Sequence, residues 1–127
     1  MNSQAQQEPR ILLVEDDQLS REALAYILRV EGFRVDTAEN GKQGLELLHR
    51  YPHPSIVLLD LGLPIVNGHE FLRRQKQDPE VADIPVVVIT AVHEASAPDA
   101  IAVLPKPLDV PRLMYLLSGY RDSERSQ

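Results

Sequence analysis

The chain contains no cysteine and no tryptophan. The missing cysteine removes disulfide frameworks, thiolate metal sites and cysteine nucleophiles together, and it suits a reducing compartment such as the cytoplasm. Long apolar runs are also lacking, since no stretch approaches the roughly 20 apolar residues that a membrane span requires. The opening MNSQAQQEPR has neither the basic nor the apolar part of a signal peptide, so residues 1–9 read as a disordered N-terminal tail. Positive charge is in deficit: the net charge is −6 and the pI is near 5.1. Such a chain cannot easily supply the basic face that direct contact with nucleic acid needs. His49, His53, His69 and His93 recur at no ligand spacing, which argues against a histidine metal site. Gly41, Gly44, Gly62 and Gly68 form neither a G-x-G-x-x-G pattern nor a P-loop, so nucleotide binding has no support.

What is present is 127 residues of which 43% are hydrophobic, enough for one core and too few for two domains of typical size. RILLV at Arg10–Val14 is short and apolar and runs into EDD, the pattern of a strand covered on both faces. From Gln18 to Glu31 the period changes. Leu19, Ala23, Leu24, Ile27 and Leu28 recur at helical spacing, and Gly32 stands where a helix stops. The alternation continues with a strand over Phe33–Ala38, a helix over Gly41–Arg50 and a strand over Ser55–Asp60. A further helix opens at Asn67-Gly68 and ends near Asp78-Pro79, and a β-branched strand follows over Ile84–Thr90. Beyond it the pattern predicts a short helix within His93–Ala100 broken by Pro98, a last strand over Ile101–Leu104, and a final helix over Asp109–Ser118. The domain is thus expected over residues 10–119, and the polar residues 120–127 as a frayed C-terminal tail. Five strands alternating with about five helices imply an α/β fold with a parallel sheet, right-handed crossovers and helices on both faces.

Ligands in such folds bind beyond the carboxyl ends of the strands. There the sequence places Glu15, Asp16 and Asp17 after the first strand, Asp60 on the third, Thr90 on the fourth, and Pro105, Lys106 and Pro107 after the fifth. Only the second strand ends without an obvious polar group. With that strand at the edge, as in the flavodoxin-like order 2-1-3-4-5, the other four ends are adjacent and converge on one pocket. Carboxylates so gathered repel unless a cation joins them, and hard oxygen donors suit Mg2+, or Mn2+ in its place. The lysine and hydroxyl beside them equip the pocket for an anionic tetrahedral group such as phosphoryl, with Asp60 as nucleophile.

The motifs VEDD (Val14–Asp17), LLDLGLP (Leu58–Pro64) with Asn67-Gly68, VVVITA (Val86–Ala91) and LPKP (Leu104–Pro107) together resemble the receiver domain of bacterial response regulators, the CheY-like superfamily, from about Arg10 to Ser118. The resemblance implies a flavodoxin-like, doubly wound, five-stranded parallel sheet. It implies that Asp60 is the phosphoacceptor, that Asp16 holds Mg2+ directly and Glu15 through water, and that the Gly62 carbonyl is the third protein ligand. Thr90 and Lys106 match the pair that contacts the phosphoryl group, and Ala91 the small residue that leaves it room. The Lys106-Pro107 bond matches one that is usually cis in the family, an isomer that proline makes accessible. The partners implied are a sensor histidine kinase or phosphotransfer protein and a downstream effector protein. No enzyme activity is implied beyond the domain's own phosphorylation and dephosphorylation.

Departures accompany the likeness. Val103 stands where receivers commonly carry an aromatic residue that swings inward on phosphorylation. The segment between Thr90 and Lys106 is shorter than usual by roughly six residues, about one and a half helical turns, so the helix between the fourth and fifth strands is expected to be short or irregular. A dimer built on that helix becomes less favoured, and the chain reads as a stand-alone receiver or one excised from a larger protein. Gly62 and Val92, at positions that tune dephosphorylation in the family, offer no polar side chain to place a water. Asp17 precedes a helix and reads as its cap. Two rival readings stand beside the receiver. One is a docking module of the same fold that binds its partner regardless of phosphorylation. The other is a metal-dependent phosphatase, disfavoured because position 62 is glycine rather than a second acid.

Overall fold

The computed structural model describes residues 9–92 and 96–125, with side chains described as far as residue 119. Five strands, β1 (Arg10–Val14), β2 (Arg34–Ala38), β3 (Ile56–Asp60), β4 (Val86–Thr90) and β5 (Ala102–Pro105), alternate with helices α1 (Gln18–Val30), α2 (Gly41–Leu48), α3 (Gly68–Gln77) and α4 (Val110–Arg125). All strand pairs are parallel, in the order β2-β1-β3-β4-β5. This is the doubly wound, flavodoxin-like sheet that the alternation implied.

The continuous apolar runs are explained by position. β3 and β4 are interior strands, and every residue of both is buried. Successive side chains enter two different cores. Leu12, Val57, Leu59 and Val88 pack with Leu48, Phe71 and Leu72 on the α2–α3 face. Ile11, Ile56, Leu58 and Ile89 pack with Ala25, Leu28, Leu113 and Leu117 on the α1–α4 face.

Helix ends follow local chemistry. Asp17, Asn40 and Asn67 are the N-caps of α1, α2 and α3, and each side chain accepts an N–H three residues on. α1 stops at Gly32, whose φ of 100° an L side chain rarely adopts. The N–H groups of Gly32 and Phe33 close back onto the carbonyls of Arg29 and Leu28. Two glycines fix the loop after Asp60. A Cβ on Gly41 would lie 1.8 Å from the Val66 carbonyl oxygen, and one on Gly68 would lie 2.6 Å from Leu61 Cα. The first turns of α2 and α3 therefore press directly against residues 61–67.

Two elements differ from expectation. The short helix expected within His93–Ala100 lies partly outside the described residues. The described part of the β4–β5 crossover, residues 91–92 and 96–101, holds turns and bends and no helix, in keeping with its shortness. Its small side chains Ala97 and Ala100 pack on the core that receives Val103. α4 continues to Arg125, past the Ser118 expected from its apolar stripe, because polar residues extend a helix once packing has nucleated it. The Tyr51-Pro52 and Lys106-Pro107 bonds are both cis. No helix among the described residues is long and apolar enough to cross a membrane.

Candidate functional site

Four adjacent strands deliver the site. Glu15 and Asp16 follow β1, Asp60 closes β3, Thr90 closes β4, and Lys106 follows β5. Each of Glu15, Asp16 and Asp60 offers one carboxylate oxygen, and these oxygens lie within 4.8 Å of one another. Glu15 and Asp60 are 6% and 8% exposed, whereas Asp16 faces solvent. The Lys106 ammonium donates to Glu15 Oε1 at 3.0 Å and to Asp60 Oδ2 at 3.1 Å. The second oxygen of each acid is also engaged: Glu15 Oε2 accepts the Asp17 N–H at 3.1 Å, and Asp60 Oδ1 accepts the Gly62 N–H at 2.9 Å.

Thr90 is 3% exposed, and its hydroxyl oxygen accepts the Val92 N–H at 3.0 Å. The Lys106 N–H donates to the Thr90 carbonyl, which ties the two phosphoryl-contact candidates together through the backbone. Ala91 and Gly62 are exposed at the rim. Val103 sits on β5 opposite Val88, half-buried in the α2–α3 core rather than among the carboxylates. Pro107 adjoins Lys106 through its cis bond. Asp17 caps α1, accepting from the Ser20 N–H at 2.9 Å, and that bond holds its carboxyl below the usual range.

The electrostatics follow the burial. Loss of solvent pushes the Glu15 carboxyl above its usual range; the Asp17 N–H and Lys106 oppose the shift, and the Asp60 charge adds to it. Burial also works against the Lys106 ammonium, but its hydrogen bonds to Glu15 and Asp60 prevail and its pKa is raised. Three carboxyl groups face one ammonium, which leaves the cluster with an excess of negative charge. An oxygen-only donor set with that residual charge fits a divalent hard cation such as Mg2+.

The sequence reading passed over two contributors. The Arg21 guanidinium, on the first turn of α1, reaches back to the carbonyls of Glu15 and Asp16 at 2.9 and 3.3 Å. Glu39, directly after β2, lies 4.0 Å from the same guanidinium, so the second strand's end is not without a polar group. Neither carries a motif, because an arginine or glutamate at a helix or strand margin reads as solvated surface. Two of the histidines make ionic contacts away from the site: His49 meets Asp78 at 2.6 Å and His53 meets Glu80 at 3.0 Å.

Fold and site define a class: a doubly wound α/β domain with an acid cluster and one lysine at the carboxyl edge of its sheet. Residues 11–118 match the family model of the response regulator receiver domain. The two-component response regulator ORR11 of Oryza sativa is 33% identical over 114 residues, covering 83% of this chain and 78% of that protein. The polar-differentiation response regulator DivK of Brucella ovis is 28% identical, covering 87% and 94%. Among solved structures, the N-terminal domain of an uncharacterized protein from Wolinella succinogenes is 30% identical with a TM-score of 0.81, covering 93% of this chain and 98% of that one. Response regulator TrrA of Thermotoga maritima, solved in complex with Mg2+-BeF, is 27% identical with a TM-score of 0.78, covering 88% and 98%. The chain belongs to the response regulator receiver family, the module of two-component signal transduction.

Proposed function

We propose that Asp60 accepts a phosphoryl group from a phosphohistidine of a sensor histidine kinase or phosphotransfer protein, and that an effector protein reads the altered surface. The observation that carries this reading is the Asp60 carboxylate itself. It is nearly buried, flanked by two acids, and held by the Lys106 ammonium and the Gly62 N–H. In the transfer, an Asp60 oxygen attacks phosphorus and a P–O bond forms as the P–N bond breaks. The imidazole leaves with the bond's electron pair and is protonated from solvent. Lys106 turns its N–H groups to the incoming phosphoryl oxygens, and the Thr90 hydroxyl, whose oxygen accepts the Val92 N–H, keeps its own proton to donate. Ala91 leaves room for the group. Mg2+, held by Asp16, Glu15, Asp60 and the Gly62 carbonyl, would neutralise charge on the transferred group; TrrA, solved with Mg2+-BeF, supports that choice of cation.

The partner needs a landing surface beside the pocket. Along α1, Leu19, Ala23, Tyr26 and Val30 recur at helical spacing, and all four are exposed. A stripe with this period fits the apolar face of a partner's helix, which would bring a histidine on that helix over the strand ends. The only chemistry assigned to the chain is its own phosphorylation and dephosphorylation, and the membrane and nucleic acid have no part in it.

The test is incubation with a small phosphodonor and Mg2+, followed by intact mass, with Asp60→Asn as control. A single phosphoryl adduct on the parent, absent from the variant, is expected. No adduct on the parent would sink the reading. A second reading, a docking module indifferent to phosphorylation, is favoured by Val103 and by the helix-free described part of the β4–β5 crossover. An adduct that leaves effector binding unchanged would select it.

A further inference from the structure

The side chain of Asp16 makes no hydrogen bond among the described residues, yet Asp16 is the acid most open to solvent and the one proposed to touch the cation directly. Something other than its own carboxylate must hold its direction. The Arg21 guanidinium donates to the carbonyl of Glu15 at 2.9 Å and to the carbonyl of Asp16 at 3.3 Å. These carbonyls belong to the two peptide planes that flank the Asp16 Cα. Fixing both planes fixes φ and ψ of that residue, and with them the direction of its Cα–Cβ bond. The donor is well suited to the task. Its side chain is only 14% exposed, and its guanidinium is planar and rigid. Its backbone is itself fixed, because the Arg21 N–H closes the first turn of α1 onto the Asp17 carbonyl.

We propose that Arg21 is a positioning residue for the divalent cation: it clamps the peptides on either side of Asp16 and so aims that carboxylate at the oxygens of Glu15 and Asp60. The inference rests on the reading of the acid cluster as a cation site. Two physical effects of Arg21 oppose each other, and their signs separate them. A guanidinium near a cation repels it, so a purely electrostatic role means that removing the charge tightens metal binding. A positioning role means that removal loosens binding although a repelling charge has gone.

The experiment measures Mg2+ and Mn2+ affinity by calorimetry for the parent, Arg21→Met, Arg21→Lys and Asp16→Asn, with a thermal melt of each. Arg21→Met keeps the aliphatic packing and is expected to weaken Mg2+ binding by about 10- to 100-fold, the usual effect of losing a residue that orients a metal ligand. Arg21→Lys keeps the charge but puts a flexible ammonium in place of the planar guanidinium whose Nη1 reaches both carbonyls, and it is expected to restore affinity only in part. At saturating Mg2+ the rate of phosphorylation by a small phosphodonor should return close to the parent's in both variants, because the reacting groups are intact. Unchanged or tighter Mg2+ binding in Arg21→Met overturns the inference, even if its melting temperature falls. A parent that binds no Mg2+, indistinguishable from Asp16→Asn, overturns the cation site and this role together.

Discussion

Lys106 donates to Glu15 across 91 positions of sequence, at 3.0 Å, and the same ammonium donates to Asp60 at 3.1 Å. A single-charged side chain thus stands between the two buried acids of a site whose residual charge suits a divalent ion. A divalent ion held by these acids would draw on carboxylates that the lysine already engages.

Replacing the lysine tests for competition between the two. Without a divalent ion, Lys106→Met is expected to lose about 1–3 kcal/mol of stability, since Glu15 and Asp60 are left facing each other with no donor between them. Mg2+ should then raise the melting temperature of the variant by more than it raises the parent's, because no ammonium has to be displaced. Equal shifts in thermal melts of the two proteins would contradict the competition.

A second ionic pair has a pH signature. His49 faces two acceptors, the Leu45 carbonyl at Nδ1 and the Asp78 carboxylate at Nε2, an arrangement that favours the imidazolium form, in which both ring nitrogens donate. The Leu45 carbonyl and then Asp78 raise the His49 pKa above 6.5, and His49 lowers that of Asp78 below 3.8. The histidine's contribution is complete below pH 6.5 and is lost as pH rises through the raised value. The aspartate's is complete above pH 3.8 and is lost as pH falls through the lowered one. The stability difference between the parent and His49→Gln should therefore be greatest between those two pH values. A denaturation series that shows a flat difference from pH 4 to 9 would rule this out.

Backbone strain offers a stabilising change. Ile65, in the loop after Asp60, has φ of 68° and is 75% exposed. A β-branched residue is costly in that region, and little packing is lost on removing its side chain. Ile65→Gly is expected to gain about 1 kcal/mol, seen as a higher urea midpoint at unchanged m-value. A midpoint at or below the parent's would mean that the loop does not carry the strain its φ implies.

The exposed stripe on α1 separates docking from chemistry. Tyr26→Ala should slow phosphoryl transfer from a histidine kinase by more than about tenfold, as loss of an aromatic contact at the centre of an interface does. The rate with a small phosphodonor should stay at the parent's value. A parallel fall in both rates would place the effect in the pocket rather than on the helix.

Much of the fold was legible because β3 and β4 lie inside the sheet. IVLLD and VVVIT carry no polar residue until their last positions, and that break marks where each strand leaves the core. Asp17 and Asn67-Gly68 marked two helix starts in the sequence, and both residues cap their helices. α4 outruns its apolar stripe because the sequence beyond Ser118, GYRDSER, carries no helical apolar period from which the last turns could be read. Glu15, Asp60, Thr90 and Lys106 could be read as a set because each sits where a strand ends. Arg21 could not, since its part depends on a guanidinium folding back over the first turn of its own helix. The His49–Asp78 pair was hidden for a related reason: 29 residues separate partners that meet where the ends of α2 and α3 lie side by side.

Parallel pairing of all five strands sends every carboxyl end to one pole. The amino ends gather at the other, where Pro54, Ser55, Pro79, Asp83 and Pro85 line a shallow hollow. For engineering, the two poles are separate territories. A fluorophore, affinity handle or fused neighbour attached at the exposed Asp83 would leave the carboxylates, Lys106 and the α1 stripe untouched. That pole is also where inherited insertions would meet the least resistance from the chemistry.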